Sequence, residues 1–308
     1  MQKIIWAAAA ILLILLVAGI IIAWRRPLAV TAWLNRRTLA KAGFTKTHLS
    51  SPVGTQTVFI SGKGQTIILL HGAGDQAGAW AKVAPALIGK YRVVIPDLAG
   101  HGDSDPKSGP LSVRTVLAGI EAIASAESGR VTIVGNSLGG WIASLYAQKH
   151  PEKVERLVLV NGGPLIGDRP DITLTPKTRE EARKTIAAMF DPGSFQLPDY
   201  VVDDIVREAQ TGALMRLSET ANEMPKYLLE GRLNEITVPV NLVWGESDHV
   251  LSLNYAKRMQ SQLPNAQLVT LKRCGHAPQL ECPKAFTAKL TEVLQSPLSP
   301  QPVGAEAK

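Results

Sequence analysis

Residues 131–141 read VTIVGNSLGGW. An apolar, β-branched run ends in Gly135-Asn136-Ser137-Leu138-Gly139 and passes into a stretch with helical periodicity. A buried core would favour a branched apolar residue at position 137. A serine between glycines there implies a sharp strand-to-helix turn, in which glycine relieves crowding and the hydroxyl is presented at the end of a strand as a nucleophile. Gly and Ser are also ordinary turn residues, so the pattern gains weight only from its context. A strand before it and a helix after it are both expected here.

Outward from this turn the chain alternates. "QTIILLHG", "YRVVIPD", "RVTIVGNS", "VERLVLVNG", "VPVNLVWGESD" and "AQLVTLKRCGH" are continuous apolar runs, as expected of parallel strands covered on both faces. Between them "GAWAKVAPALIGK", "VRTVLAGIEAIASAES", "GGWIASLYAQKHPEKV" and "NYAKRMQSQLP" carry helical spacing. The class is α/β, with an antiparallel edge near "KTHLSS" and "QTVFISG". From about Gly163 to Ile236 no strand is expected, only Pro-punctuated helical pieces. That length exceeds an ordinary connection and reads as a helical cap inserted into the sheet.

A serine attacks poorly until a base takes its proton, so a histidine and an orienting carboxylate are required. Asp248 and His276 follow later strands and give the chain order Ser, Asp, His. Glu246 and Asp168 are the rival acids. His48, His101, His150 and His249 read as surface or loop histidines. Charge developing on a substrate oxygen needs fixed donors: the N–H of Leu138, directly after the serine, and that of Ala73 in the loop His71-Gly72-Ala73-Gly74. A phosphate loop is disfavoured there, because no G-K-[ST] follows. His71, Gly72, Gly74, Asn136 and Trp141 are expected around the substrate pocket.

These pieces, with "DLAGHGDSD" at Asp97 to Asp105, Gly245 to Asp248 and Gly275-His276, resemble the α/β-hydrolase superfamily over about Thr45 to Leu294. The resemblance implies a mostly parallel eight-stranded sheet flanked by helices, with the cap after the sixth strand lining the substrate pocket. It also implies Ser137 as nucleophile, His276 as base and Asp248 as its partner. "GNSLGGW" and the cap look most like carboxylesterases, monoacylglycerol lipases and meta-cleavage-product (carbon–carbon) hydrolases. Serine at 137 argues against the dehalogenase and epoxide hydrolase branches, which use aspartate. The loop lacks the "GGGPG" run of carbon–carbon hydrolases, so hydrolysis of a hydrophobic carboxylic ester leads. A carbon–carbon or perhydrolase-type activity and a non-catalytic anchored binding protein are the alternatives. No cofactor is expected, and the two cysteines and scattered histidines give no metal spacing.

Ahead of this core, Ile4 to Trp24 is uncharged over 21 residues. A helix of that length crosses a hydrocarbon core of about 30 Å. Trp6 and Trp24 mark its ends, and Arg25-Arg26 follow. A cleaved signal peptide would have a shorter apolar region and a small-residue cleavage site. A single-pass anchor is therefore expected, with the positive-inside tendency favouring a cytoplasmic domain. The formal charge of +7 is concentrated near this segment, so a juxtamembrane origin explains it better than a nucleic-acid surface. Cys274 and Cys282 flank His276 and read as unpaired, bridging only in an oxidising space. The expected organisation is an anchor at 1–26, a basic linker at 27–44, core at 45–163 and 237–296, cap at 164–236 and a flexible tail at 297–308.

Overall fold

The computed structural model describes residues 2–168 and 171–298. The tail expected at 297–308 therefore lies, from residue 299 on, outside the described residues. Eight strands form one sheet: β1 (Thr45–Ser51), β2 (Gly54–Ser61), β3 (Thr66–Leu70), β4 (Arg92–Pro96), β5 (Val131–Asn136), β6 (Val154–Val160), β7 (Val240–Gly245) and β8 (Ala266–Leu271), in the order β1-β2-β4-β3-β5-β6-β7-β8. β2 runs antiparallel to both β1 and β4, and every other pair is parallel.

Parallel pairing requires crossover connections, and helices cover both faces of the sheet. One face carries α3 (Val113–Ser125), α4 (Leu138–Lys149) and α8 (Leu253–Gln262); the other carries α10 (Pro283–Gln295), preceded by the short α9 (Pro278–Glu281). All side chains of β3 and β5 are buried, and Ile67, Ile68, Leu69 and Leu70 have no accessible surface. Each such side chain contributes roughly 1.5–3 kcal/mol by leaving water. These strands are the rigid centre from which the loops after β3 and β5 project.

Between β6 and β7 the described chain forms α5 (Arg179–Met189), α6 (Asp199–Thr211) and α7 (Ala213–Ser218), followed by two 3₁₀ turns. Thr178 caps α5 by accepting the Glu181 N–H, and Arg179 and Arg183 pair with Asp199 of α6. The basic face of α5 is thus spent largely on exposed ion pairs.

Three expectations need correction. "GAWAKVAPALIGK" is not one helix but two 3₁₀ turns, Ala77–Trp80 and Ala84–Ala86. Pro85 supplies no N–H, and Ala77, Ala79, Trp80, Ala81, Val83 and Ala84 are buried on all sides rather than along one stripe. Residues 27–44 are not a linker: after α1 (Gln2–Arg25), helix α2 (Pro27–Lys41) packs on the core, burying Leu39 completely and Phe44 just beyond it. Pro27 suits a first helical position, where its missing N–H costs nothing. The third concerns the cysteines, which form a disulfide, Cys274–Cys282.

Candidate active site

Ser137 stands between β5 and α4 with φ 51°, a left-handed conformation that a side-chain-bearing residue adopts only under constraint. Two glycines make the turn possible. A β-carbon at Gly135 would lie 2.3 Å from the Gly139 carbonyl oxygen, and one at Gly139 would lie 2.6 Å from that of Leu70. The Ser137 N–H donates to Val160 O at the end of β6, pinning the turn to the neighbouring strand.

His276 comes from the loop after β8. Its Nε2 lies 2.9 Å from Ser137 Oγ and its Nδ1 lies 2.8 Å from Asp248 Oδ2. Asp248, fully buried after β7, accepts from His276, from Asn161 Nδ2 (2.7 Å) and, at Oδ1, from the N–H groups of Val250 and Leu251. A carboxylate surrounded by donors can only accept, so the imidazole proton sits on Nδ1 and the Nε2 lone pair faces the serine hydroxyl. Such a chain can draw the hydroxyl proton towards Nε2 while the carboxylate holds the ring in place. The rival acids serve elsewhere. Asp168 accepts from Ser252 N, and Glu246 from Thr270 Oγ1.

The loop after β3 lies against the serine. A β-carbon at Gly72 would stand 3.3 Å from Ser137 Cβ. Ala73 and Gly74 follow, and Leu214 of α7 closes over Gly74, 2.9 Å from where its β-carbon would be. The Leu138 N–H belongs to the first turn of α4, whose amides lack intrahelical acceptors and carry the positive end of the helix dipole.

Three residues expected at the pocket have other partners. His71 has no accessible surface; its Nδ1 donates to Gly72 O and its Nε2 accepts from Leu98 N, so it fastens the loop rather than lining a cavity. Burial, reinforced by nearby Arg36, pushes its pKa down to about 4, keeping it neutral. Asn136 donates to Val160 O and His276 O and accepts from Gln279 Nε2, tethering the histidine loop. Trp141 donates from its indole to Tyr227 O, joining α4 to the inserted segment. His101, read as a surface or loop residue, is buried against His71, and burial pushes its pKa down to about 3.

Several contributors were not anticipated. Asn161, with φ 44°, also accepts from Gly245 N and so ties the ends of β6 and β7 together beside Asp248. Its signal was an Asn-Gly-Gly at a strand end, since Asn is among the few side chains that tolerate this conformation. The C-terminal carbonyls of α5 reach the same loops: Met189 O accepts from His276 N and Ala188 O from His249 N. Glu281 accepts from Gly275 N and from Asp191 N, and the disulfide closes the histidine loop from Cys274 to Cys282.

A family model described as the alpha/beta hydrolase family matches residues 67–290. The sequence is 31% identical to a 2-hydroxy-6-oxononadienedioate/2-hydroxy-6-oxononatrienedioate hydrolase of Cupriavidus pinatubonensis, over 75% of this chain and 86% of that protein. It is 31% identical to a pimeloyl-[acyl-carrier protein] methyl ester esterase of Nitrosomonas europaea, over 74% and 95%. Among solved structures, a membrane phospholipase A superposes with a TM-score of 0.76 at 26% identity, covering 96% of this chain and all of that one.

Proposed function

Because the chain belongs to the alpha/beta hydrolase family, we propose that it is a serine hydrolase that cleaves a hydrophobic carboxylic ester through Ser137, His276 and Asp248. The observation that carries this reading is the continuous hydrogen-bond chain from Ser137 Oγ through both ring nitrogens of His276 to Asp248.

In this mechanism Ser137 Oγ attacks the acyl carbon as its proton passes to His276 Nε2. The tetrahedral oxyanion is held by the amides of Ala73 and Leu138. Asp248 stabilises the imidazolium without taking its proton. His276 then gives that proton to the departing alcohol, leaving an acyl group on Ser137. Water, deprotonated by His276, attacks the ester, and collapse returns the serine. Fixed donors at the oxyanion position are worth roughly 2.7–4 kcal/mol of barrier each.

The substrate is proposed to be an acyl ester partitioned into a bilayer, a monoacylglycerol-like or phospholipid molecule. Lys3–Arg25 forms a helix long and apolar enough to cross a membrane. The likeness to a membrane phospholipase A covers 96% of this chain. A tethered enzyme meets such a substrate at high effective concentration. The Cys274–Cys282 bridge supports placing the domain in an oxidising space, against the cytoplasmic orientation that the arginines favour.

A second reading, hydrolysis of a carbon–carbon bond in a vinylogous diketone by the same residues, is favoured by the 31% identical oxononadienedioate hydrolase. Turnover of short and long p-nitrophenyl esters, a monoacylglycerol, a phospholipid and a vinylogous diketone by the detergent-solubilised full chain separates the two. Ester turnover that is lost in Ser137→Ala supports the first. Turnover of the diketone alone supports the second.

A further inference from the structure

Segment 71–77 supplies the Ala73 amide, and it is fastened at both ends to the loop after β4. At its start, His71 Nε2 accepts from Leu98 N at 3.0 Å. At its end, Ala77 N donates to Asp97 Oδ1 at 2.7 Å. Between these points, among the described residues, a single backbone–backbone hydrogen bond crosses the loop, Asp75 N to Gly72 O at 3.3 Å. The position of Ala73 therefore depends on how firmly the two ends are held.

The far end is held from outside the sheet. Arg36 of α2 reaches in with all three of its guanidinium nitrogens engaged: Nε donates to Gln76 Oε1 (2.9 Å), Nη1 to Asp103 Oδ2 (2.6 Å) and Nη2 to Asp97 Oδ2 (2.7 Å). Gln76 Oε1 also accepts from Gly78 N, capping the 3₁₀ turn that follows the loop. Asp97 has no accessible surface, and Arg36 is the cation paired with it. The arginine closes a ring that runs from Gln76 through Ala77 and Asp97 back to itself. A planar fork serves three separate acceptors, whereas an ammonium group would serve one or two of them.

The support under Arg36 is itself fixed. Leu39, one turn further along α2, is fully buried, and the other end of the helix is bound to α6, where Leu28 N donates to buried Asp204 and Arg26 pairs with Glu208.

We propose that Arg36 is a positioning residue for the oxyanion loop, setting the Ala73 amide through Gln76 and Asp97, so that the helix following the membrane-spanning segment forms part of the catalytic apparatus. This rests on the reading of Ala73 as an oxyanion donor. A misplacement of about 1 Å can cost roughly 100-fold in rate.

The test uses the full-length enzyme with Arg36→Lys and Gln76→Ala, measured for kcat and KM on a p-nitrophenyl ester, for affinity towards a boronic acid that forms a tetrahedral adduct at Ser137, and for thermal midpoint. The expected result is a kcat lowered by roughly 10- to 100-fold, a parallel loss of boronate affinity and a KM within about twofold, at temperatures where each variant is folded. Gln76→Ala keeps the test decisive if Arg36→Lys does not fold. Unchanged kcat and boronate affinity in a folded variant would overturn the proposal, as would a loss that only follows the folded fraction. Failure of the wild type to react with a fluorophosphonate would instead overturn the serine-hydrolase reading on which it rests.

Discussion

Asn161 Nδ2 donates to Asp248 Oδ2 at 2.7 Å, from the end of one strand to the loop of the next. The same oxygen accepts from His276 Nδ1, and Asn161 Oδ1 accepts from Gly245 N, so one amide side chain holds the Asp248 carboxylate and braces the strand that precedes it. Asn161→Ala leaves a buried N–H without its acceptor, a cost of about 1–3 kcal/mol. It also forces alanine into a left-handed conformation. The expected result is a kcat at least about tenfold lower with KM little altered, and a lower thermal midpoint. Wild-type kcat and midpoint together would remove Asn161 from the account.

Gly74 has φ 76° and meets Leu214 where a β-carbon would be. Gly74→Ala should therefore lower kcat while the protein still folds, since the strain of about 1–2 kcal/mol falls on one loop. Adding Leu214→Ala removes the steric contact but not the backbone strain. The double variant is expected to regain part of the lost kcat, and no recovery would mean that α7 does not press on this loop.

The disulfide encloses His276 within a sequence separation of 8. In the chain-entropy picture such a loop contributes about 2.5 kcal/mol. Thiol titration of the denatured, unreduced protein should find no free thiol. The Cys274→Ala/Cys282→Ala pair should melt at a lower temperature and turn over more slowly. Two titratable thiols in protein purified without reductant would contradict the bridge.

His71 and His101 give a pH dependence whose sign is fixed. In the unfolded chain each takes a proton near pH 6.5, whereas in the folded protein burial holds them neutral down to about 4 and about 3. Their full contribution to stability is present above pH 6.5 and is lost as pH falls towards those values, on the order of 3 kcal/mol for His71. Denaturant unfolding between pH 7 and 4 should show a shallower loss of stability in His101→Asn than in the wild type. Equal slopes would mean that His101 does not titrate as its burial implies.

How far the sequence carried depends on whether a residue's neighbours in space are also its neighbours in the chain. The parallel strands were legible because burial on both faces leaves unbroken apolar runs, and the turn around Ser137 because its glycines are local necessities. Asp248 and His276 were chosen by chain order, a rule for one architecture. Arg36 had no such signal: it looked like one more juxtamembrane cation, and only the fold brings it to Gln76 and Asp97. The same holds for the cysteines, whose pairing depends on a loop that doubles back. His71 and Asn136 misled in the opposite direction. Close in sequence to Ala73 and Ser137, they spend their polar atoms on holding loops.

The central claim is that the Ser137 hydroxyl is a nucleophile activated by His276. Incubation of the full-length enzyme with a fluorophosphonate, followed by peptide mapping by mass spectrometry, tests it most directly. One adduct on the peptide containing Ser137 is predicted, absent in Ser137→Ala and formed orders of magnitude more slowly in His276→Ala. An unmodified Ser137 after prolonged incubation, or equal labelling in Ser137→Ala, would contradict it.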